Sequence, residues 1–151
     1  MSQREELSTI THATGGCLCG EVRYEVNGPL HSVIACHCEQ CRRTSGHFVA
    51  ATAVANEHLR LVEEKGLRWY HSSDIARRGF CGTCGSSLFW DPTDNQDSTT
   101  PHHISIMAGT LDSPTGLALT NHIFVEFKGD YYELTDGKPQ FMLDTDGDQI
   151  N

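Results

Sequence analysis

Seven cysteines fall into three tight groups: Cys17–Leu18–Cys19, Cys36–His37–Cys38–Glu39–Gln40–Cys41, and Cys81–Gly82–Thr83–Cys84. None stands outside them. Structural cysteines sit singly on apolar faces, so this clustering says that the fold must bring sulfurs together. Three chemistries use gathered sulfur. A disulfide framework wants an oxidising compartment and usually an even count. The start, "MSQREELSTI", carries no apolar core of a secretory signal. A cytoplasmic location is therefore expected, where thiols stay reduced, and seven is odd. A redox pair at Cys81 and Cys84 would leave five cysteines unexplained, and "RRGFCGTCGSS" opens no apolar helix. Metal ligation, with zinc as the ion, accounts for all three groups.

Zinc binds thiolates tetrahedrally, with sulfur at about 2.3 Å. Residues i and i+2 of a strand share a face, so C-x-C offers two sulfurs to one ion. C-x-x-C does so around a tight turn, where Gly82 and Gly85 give backbone freedom. A structural zinc takes four protein ligands, and a catalytic one keeps three with an open position. Seven divides as four plus three. Cys17, Cys19, Cys81 and Cys84 can close one site, and Cys36, Cys38 and Cys41 can form an open one. Spacing alone leaves a five-thiolate cluster or another pairing open. His37 is a possible fourth ligand, but on an extended stretch it points away from its neighbours, which favours a supporting or core role. Three anionic sulfurs make the ion a weak Lewis acid but a good template for an incoming thiol. Bound there, a thiol ionises to its nucleophilic form.

The rest of the chain bounds the setting. Its 151 residues fit one domain able to bury a core without disulfides. No run approaches the roughly 20 apolar residues of a membrane helix. A net charge of −9 argues against nucleic acid and anionic membranes as partners. The arginines are nonetheless placed near the cysteines: Arg42 and Arg43 follow Cys41, and Arg77 and Arg78 precede Cys81. An anionic small molecule can find a local positive site there. Period-2 segments dominate: "EVRYEV", "HFVAATAV", "HLRLVE", "SSLFWD", "HISIMAG" and "HIFVEF", the last with Ile123, Val125 and Phe127 on one face. "CEQCRRTS" suits a turn or two of helix, and "GLRWYHSS" is ambiguous. The predicted fold is mainly β, with small antiparallel sheets around the zinc sites and few short helices. "DPTDNQDSTTPHH" (91–103) reads as a mobile loop. "DTDGDQ" (144–149) begins like a calcium loop but puts Gln149 where the sixth position needs Gly.

"GGCLCGEVRYEV", "CHCEQCRRTSG", "RRGFCGTCGSSLFW", "AGTLD" and "HIFVEFKGDYYELTDGKPQF" together resemble the glutathione-dependent formaldehyde-activating enzyme family, also called the centromere protein V/GFA domain. The resemblance runs from about Gly15 to about Phe141. It implies an Mss4-like fold over 15–141, with an N-terminal extension (1–14) and an acidic tail (142–151). It implies a structural zinc on Cys17, Cys19, Cys81 and Cys84 and a catalytic zinc on Cys36, Cys38 and Cys41, two ions per chain. The implied activity is that of a carbon–sulfur lyase joining glutathione to formaldehyde as S-(hydroxymethyl)glutathione. On this reading Arg42, Arg43 and Arg78 are candidates to pair with the thiol's carboxylates, since a guanidinium fork matches a carboxylate. Ser45, His47 and His122 are weaker pocket candidates. The alternative is a non-catalytic zinc module that senses small thiols or docks a protein.

Overall fold

Alternating burial builds the first sheet. Val22, Tyr24 and Val26 are almost wholly buried while the residues between them face out. In the computed structural model, which describes residues 7–93, 102–144 and 149–150, strand β1 (His12–Gly16) pairs antiparallel with β2 (Arg23–Asn27). Strand β2 then pairs antiparallel with β5 (Leu59–Glu63).

The second sheet holds the remaining strands: β3 (Val33–Cys36), β4 (Val49–Ala55), β6 (Leu67–His71), β7 (Ala76–Cys81), β8 (Ser87–Pro92), β9 (His103–Met107), β10 (Leu119–Ile123), β11 (Gln140–Phe141) and β12 (Gln149–Ile150). Their order is β12-β11-β10-β3-β4-β9-β8-β7-β6. The fold is mainly β, as expected, and most pairings are antiparallel. Strand β10 is the exception, lying parallel to both β3 and β11. The only α-helix among the described residues is α1 (Glu39–Ser45), where "CEQCRRTS" suggested one. "GLRWYHSS" resolves as β6.

One face of this large sheet packs on the small one. Val22, Tyr24, Val26, Leu30, Val54, Leu88, Phe89, Ile104 and Ile106 form the shared core. Each such apolar side chain contributes about 1.5–3 kcal/mol when fully buried. Tyr24 keeps its hydroxyl satisfied against Thr110 Oγ1 at 2.7 Å, and burial pushes its pKa up to about 12.

"HIFVEF" corrects the sequence reading. The strand stops at Ile123, because Phe124 takes φ 56° and ψ 37° and Val125–Phe127 form a 3-10 turn. A left-handed residue breaks the pleat, so Ile123, Val125 and Phe127 do not share a strand face. Of the proposed loop over 91–103, residues 94–101 lie outside the described residues, as do 145–148 of the acidic tail. No described helix is long and apolar enough to cross a membrane.

Candidate metal centres and cavity

Two strand ends build the first cysteine cluster. Cys17 follows β1, Cys19 lies in the turn to β2, Cys81 ends β7, and Cys84 sits in the turn to β8. The four Sγ atoms lie within 4.8 Å of one another. Cys19 Sγ is 3.6 Å from Cys17 Sγ and 3.7 Å from Cys81 Sγ. Sulfurs at about 2.3 Å from a tetrahedral ion stand about 3.8 Å apart, so these spacings suit a shared ion. They are far beyond the roughly 2.05 Å of a disulfide, and all seven cysteines are free.

Local backbone donors orient these sulfurs. Val22 N–H donates to Cys17 Sγ at 3.2 Å and Cys84 N–H to Cys81 Sγ at 3.5 Å. A hydrogen bond from the Ser86 hydroxyl, aided by the backbone there, lowers the Cys84 pKa to about 5. Ser86 Oγ also accepts from Leu18 N–H at 3.0 Å, tying the two turns together. Gly85, at φ 81°, uses the freedom a tight turn needs. Gly82 does not; its role is space, since a Cβ there would stand 2.9 Å from Arg68 Cγ.

The second cluster is local in sequence. Cys36 closes β3, Cys38 caps α1, and Cys41 lies in the helix, half-turned into a small apolar cluster with Val49 and Met107. Their Sγ atoms also lie within 4.8 Å of one another, and no fourth ligand joins them among the described residues. Cys41 N–H donates to Cys38 Sγ at 3.3 Å. Three thiols this close cannot ionise together without a cation between them. Hydrogen bonds from the Cys36 and Cys41 thiols hold Cys38 down to about 2. Donating to Cys38 and Cys41 pushes Cys36 far up. Such a set fits a divalent metal, which replaces the shared protons. Two cysteine clusters of this chain can therefore hold metal ions, one with four sulfurs and one with three.

His37 lies between two of these ligands yet turns away from them. It is buried, and both ring nitrogens are engaged: Nδ1 with Tyr132 Oη at 2.9 Å and Nε2 with His122 Nδ1 at 2.9 Å. His122 Nε2 in turn meets Asp136 Oδ2 at 2.8 Å. The Lys138 N–H and His122 hold the Asp136 carboxyl below its usual range, so it accepts. One assignment of donors then satisfies every atom. His122 donates to Asp136, His37 donates to His122, and Tyr132 donates to His37. Burial, with neighbouring positive charge, lowers the His37 pKa to about 4. This chain fixes the Cys36–Cys38 link from behind and answers the question of His37 as a ligand. It also corrects His122, which is buried here and not in a pocket.

The other face of the large sheet carries a cavity of about 600 Å³. Register puts its parts together, because paired residues share a face. Cys36 pairs with Val49, Ala51 with Met107, Ala53 with Ser105, Ser105 with Trp90, and Trp90 with Arg78. All of these residues line the cavity, as do Cys38 and Cys41. Arg78 reaches across it: its amino groups lie 3.9 and 4.0 Å from Cys41 Sγ, and one is 3.3 Å from Gln40 Oε1. Arg42 and Arg43 are not among the lining residues. Arg43 is an exposed partner of Glu39 one helical turn away, at 3.0 Å. Ser45 and His47 lie at the outer end of α1, bonded to Cys41 O and Tyr131 Oη respectively. The sequence reading missed Gln40 and Trp90. A hint of the cavity was present in "HFVAATAV", where small Ala51 and Ala53 alternate with buried Thr52 and Val54.

Known proteins are similar to this chain. A curated relative, an uncharacterized lyase of Schizosaccharomyces pombe, is 25% identical over 131 residues, covering 86% of this chain and 90% of its own length. A crystal structure of a Rhodobacter sphaeroides protein matches with a TM-score of 0.51 and 27% identity, covering 66% of this chain and 88% of that one. The family model for the glutathione-dependent formaldehyde-activating enzyme matches residues 12–127, from the first strand past both cysteine clusters. The chain belongs to the glutathione-dependent formaldehyde-activating enzyme family.

Proposed function

We propose that this protein is a zinc enzyme of carbon–sulfur chemistry, a lyase acting on the adduct of a small thiol and a carbonyl compound. The observation that supports this most is the three-cysteine cluster without a fourth described ligand, lining a cavity beside Arg78. Family membership and the lyase-named relative support the reaction class. Zinc held by Cys36, Cys38 and Cys41 supplies a position where a thiol ionises. The chain's own residues do the rest. Arg78 sets a positive charge beside the sulfurs and can pair with one carboxylate of the thiol. The cavity holds the reactants close and limits water. In the synthetic direction sulfur adds to the carbonyl carbon, the C=O π bond opens, and its oxygen takes up the proton that the thiol lost.

Glutathione and formaldehyde, giving S-(hydroxymethyl)glutathione, are the first pair to test because the family is named for them. Four thiolates from Cys17, Cys19, Cys81 and Cys84 hold a second, structural zinc. The test is exchange spectroscopy by NMR on glutathione with formaldehyde, which measures adduct formation and breakdown above the spontaneous rate. Zinc-loaded protein is expected to speed the exchange, and Cys38→Ser to return it to the spontaneous rate. Tight binding of the thiol with no acceleration would instead favour the non-catalytic module.

A further inference from the structure

The walls of the cavity carry information that the metal ligands do not. Ile34, Ala51, Trp90 and Met107 form its floor on the large sheet. At its edge stand Ile75 and Phe127, apolar side chains that remain 53% and 45% exposed. Arg78 is the one lysine or arginine among the described lining residues, and its guanidinium already rests on Cys41 and Gln40. Glutathione carries two carboxylates and an ammonium. Arg78 can meet one carboxylate and Glu39, also on the lining, can meet the ammonium, which leaves the second carboxylate with no lysine or arginine among the described lining residues. Burying a charge without a partner is strongly unfavourable. The volume is also generous, within the range that takes drug-sized ligands, and far more than a one-carbon carbonyl fills.

We infer that the cavity selects a thiol with an apolar tail, aliphatic or aromatic, in preference to glutathione. The sulfur lies at the three-cysteine end, and the tail lies along Ile34, Ala51, Trp90 and Met107. This inference rests on the reading of the three-cysteine cluster as an open metal centre.

The test uses the full chain loaded with cobalt(II), whose absorption reports on sulfur ligation. Ethanethiol, butanethiol, hexanethiol and glutathione are titrated, with affinities corrected for each thiol's own ionisation. Affinity is expected to rise about fourfold per methylene while the tail is being buried, with hexanethiol at least about tenfold tighter than glutathione. Ala51→Phe fills the floor, so it should weaken hexanethiol about tenfold and leave ethanethiol nearly unchanged. The unmodified protein decides the matter even if that variant fails to fold. Thiols that all shift the spectrum with equal affinity, or glutathione binding as tightly as hexanethiol, overturn the inference and leave the open centre standing. A spectrum that no thiol moves overturns both.

Discussion

The two cysteine clusters use the same atoms to opposite ends. The four-sulfur cluster draws on two turns far apart in sequence and sits where the small sheet meets the large one. Cys81 is fully buried there, and backbone N–H groups and Ser86 bind its sulfurs into place. The three-sulfur cluster comes from six consecutive residues and looks onto a cavity. One is a joint between layers of the fold; the other is a surface on which something can arrive. A closed set of ligands secures structure, and an incomplete set invites chemistry.

This contrast can be broken by substitution. The largest effect is expected from Cys81→Ser. Structural zinc contributes about 10–16 kcal/mol in small zinc domains, which matches or exceeds the roughly 5–15 kcal/mol stability of a whole domain. The variant should lose its cooperative melt by circular dichroism. Cys38→Ser is expected to fold and melt near the parent temperature while metal content falls from about two ions per chain to about one. If the two variants melt alike, the contrast is wrong. Arg78→Met should keep both ions and the melting temperature. Its affinity for an anionic thiol should fall about tenfold, the loss of one charge-assisted hydrogen bond, read by calorimetry.

The smallest effect is a matter of pH. Asp136 is held below its ordinary value by Lys138 N–H and His122. Its contribution is therefore present above the unfolded carboxyl range and is lost as pH falls through the folded value. The side chain is 36% exposed, so the contribution is under about 1 kcal/mol. Asp136→Asn should cost that much at pH 7, and the gap in melting temperature from the parent should hold down to about pH 4 and narrow as the pH falls below the ordinary carboxyl range. A gap independent of pH would show that the carboxylate's charge does not anchor the Tyr132–His37–His122 chain.

The cysteines could be read from the sequence because their spacing is local: three groups, each short enough to converge without knowledge of the fold. The β class was readable for a similar reason, since Val22, Tyr24 and Val26 declare a buried face by alternation. The cavity was not. Cys36, Ala51, Ser105, Trp90 and Arg78 meet only through the register of five strands, and register is a property of pairs. The outward setting of Arg43 was hidden for a related reason. Adjacent residues on a helix face different ways, and an i, i+4 partner, Glu39, holds Arg43 outward. "HIFVEF" alternates like a strand, but nothing in alternation announces the left-handed turn at Phe124.

The positions of the clusters along the chain have a consequence for its polymer physics. Cys19 and Cys81 lie 62 positions apart, whereas Cys36 and Cys41 are separated by five. An ion across the first pair closes a long loop, and an ion across the second closes a tight one. Loop-closure entropy grows with the logarithm of length, so the long closure removes about 2 kcal/mol more disorder from the unfolded chain. The short closure lies wholly inside the long one. The three-sulfur ion can therefore come and go while the outer loop stays shut.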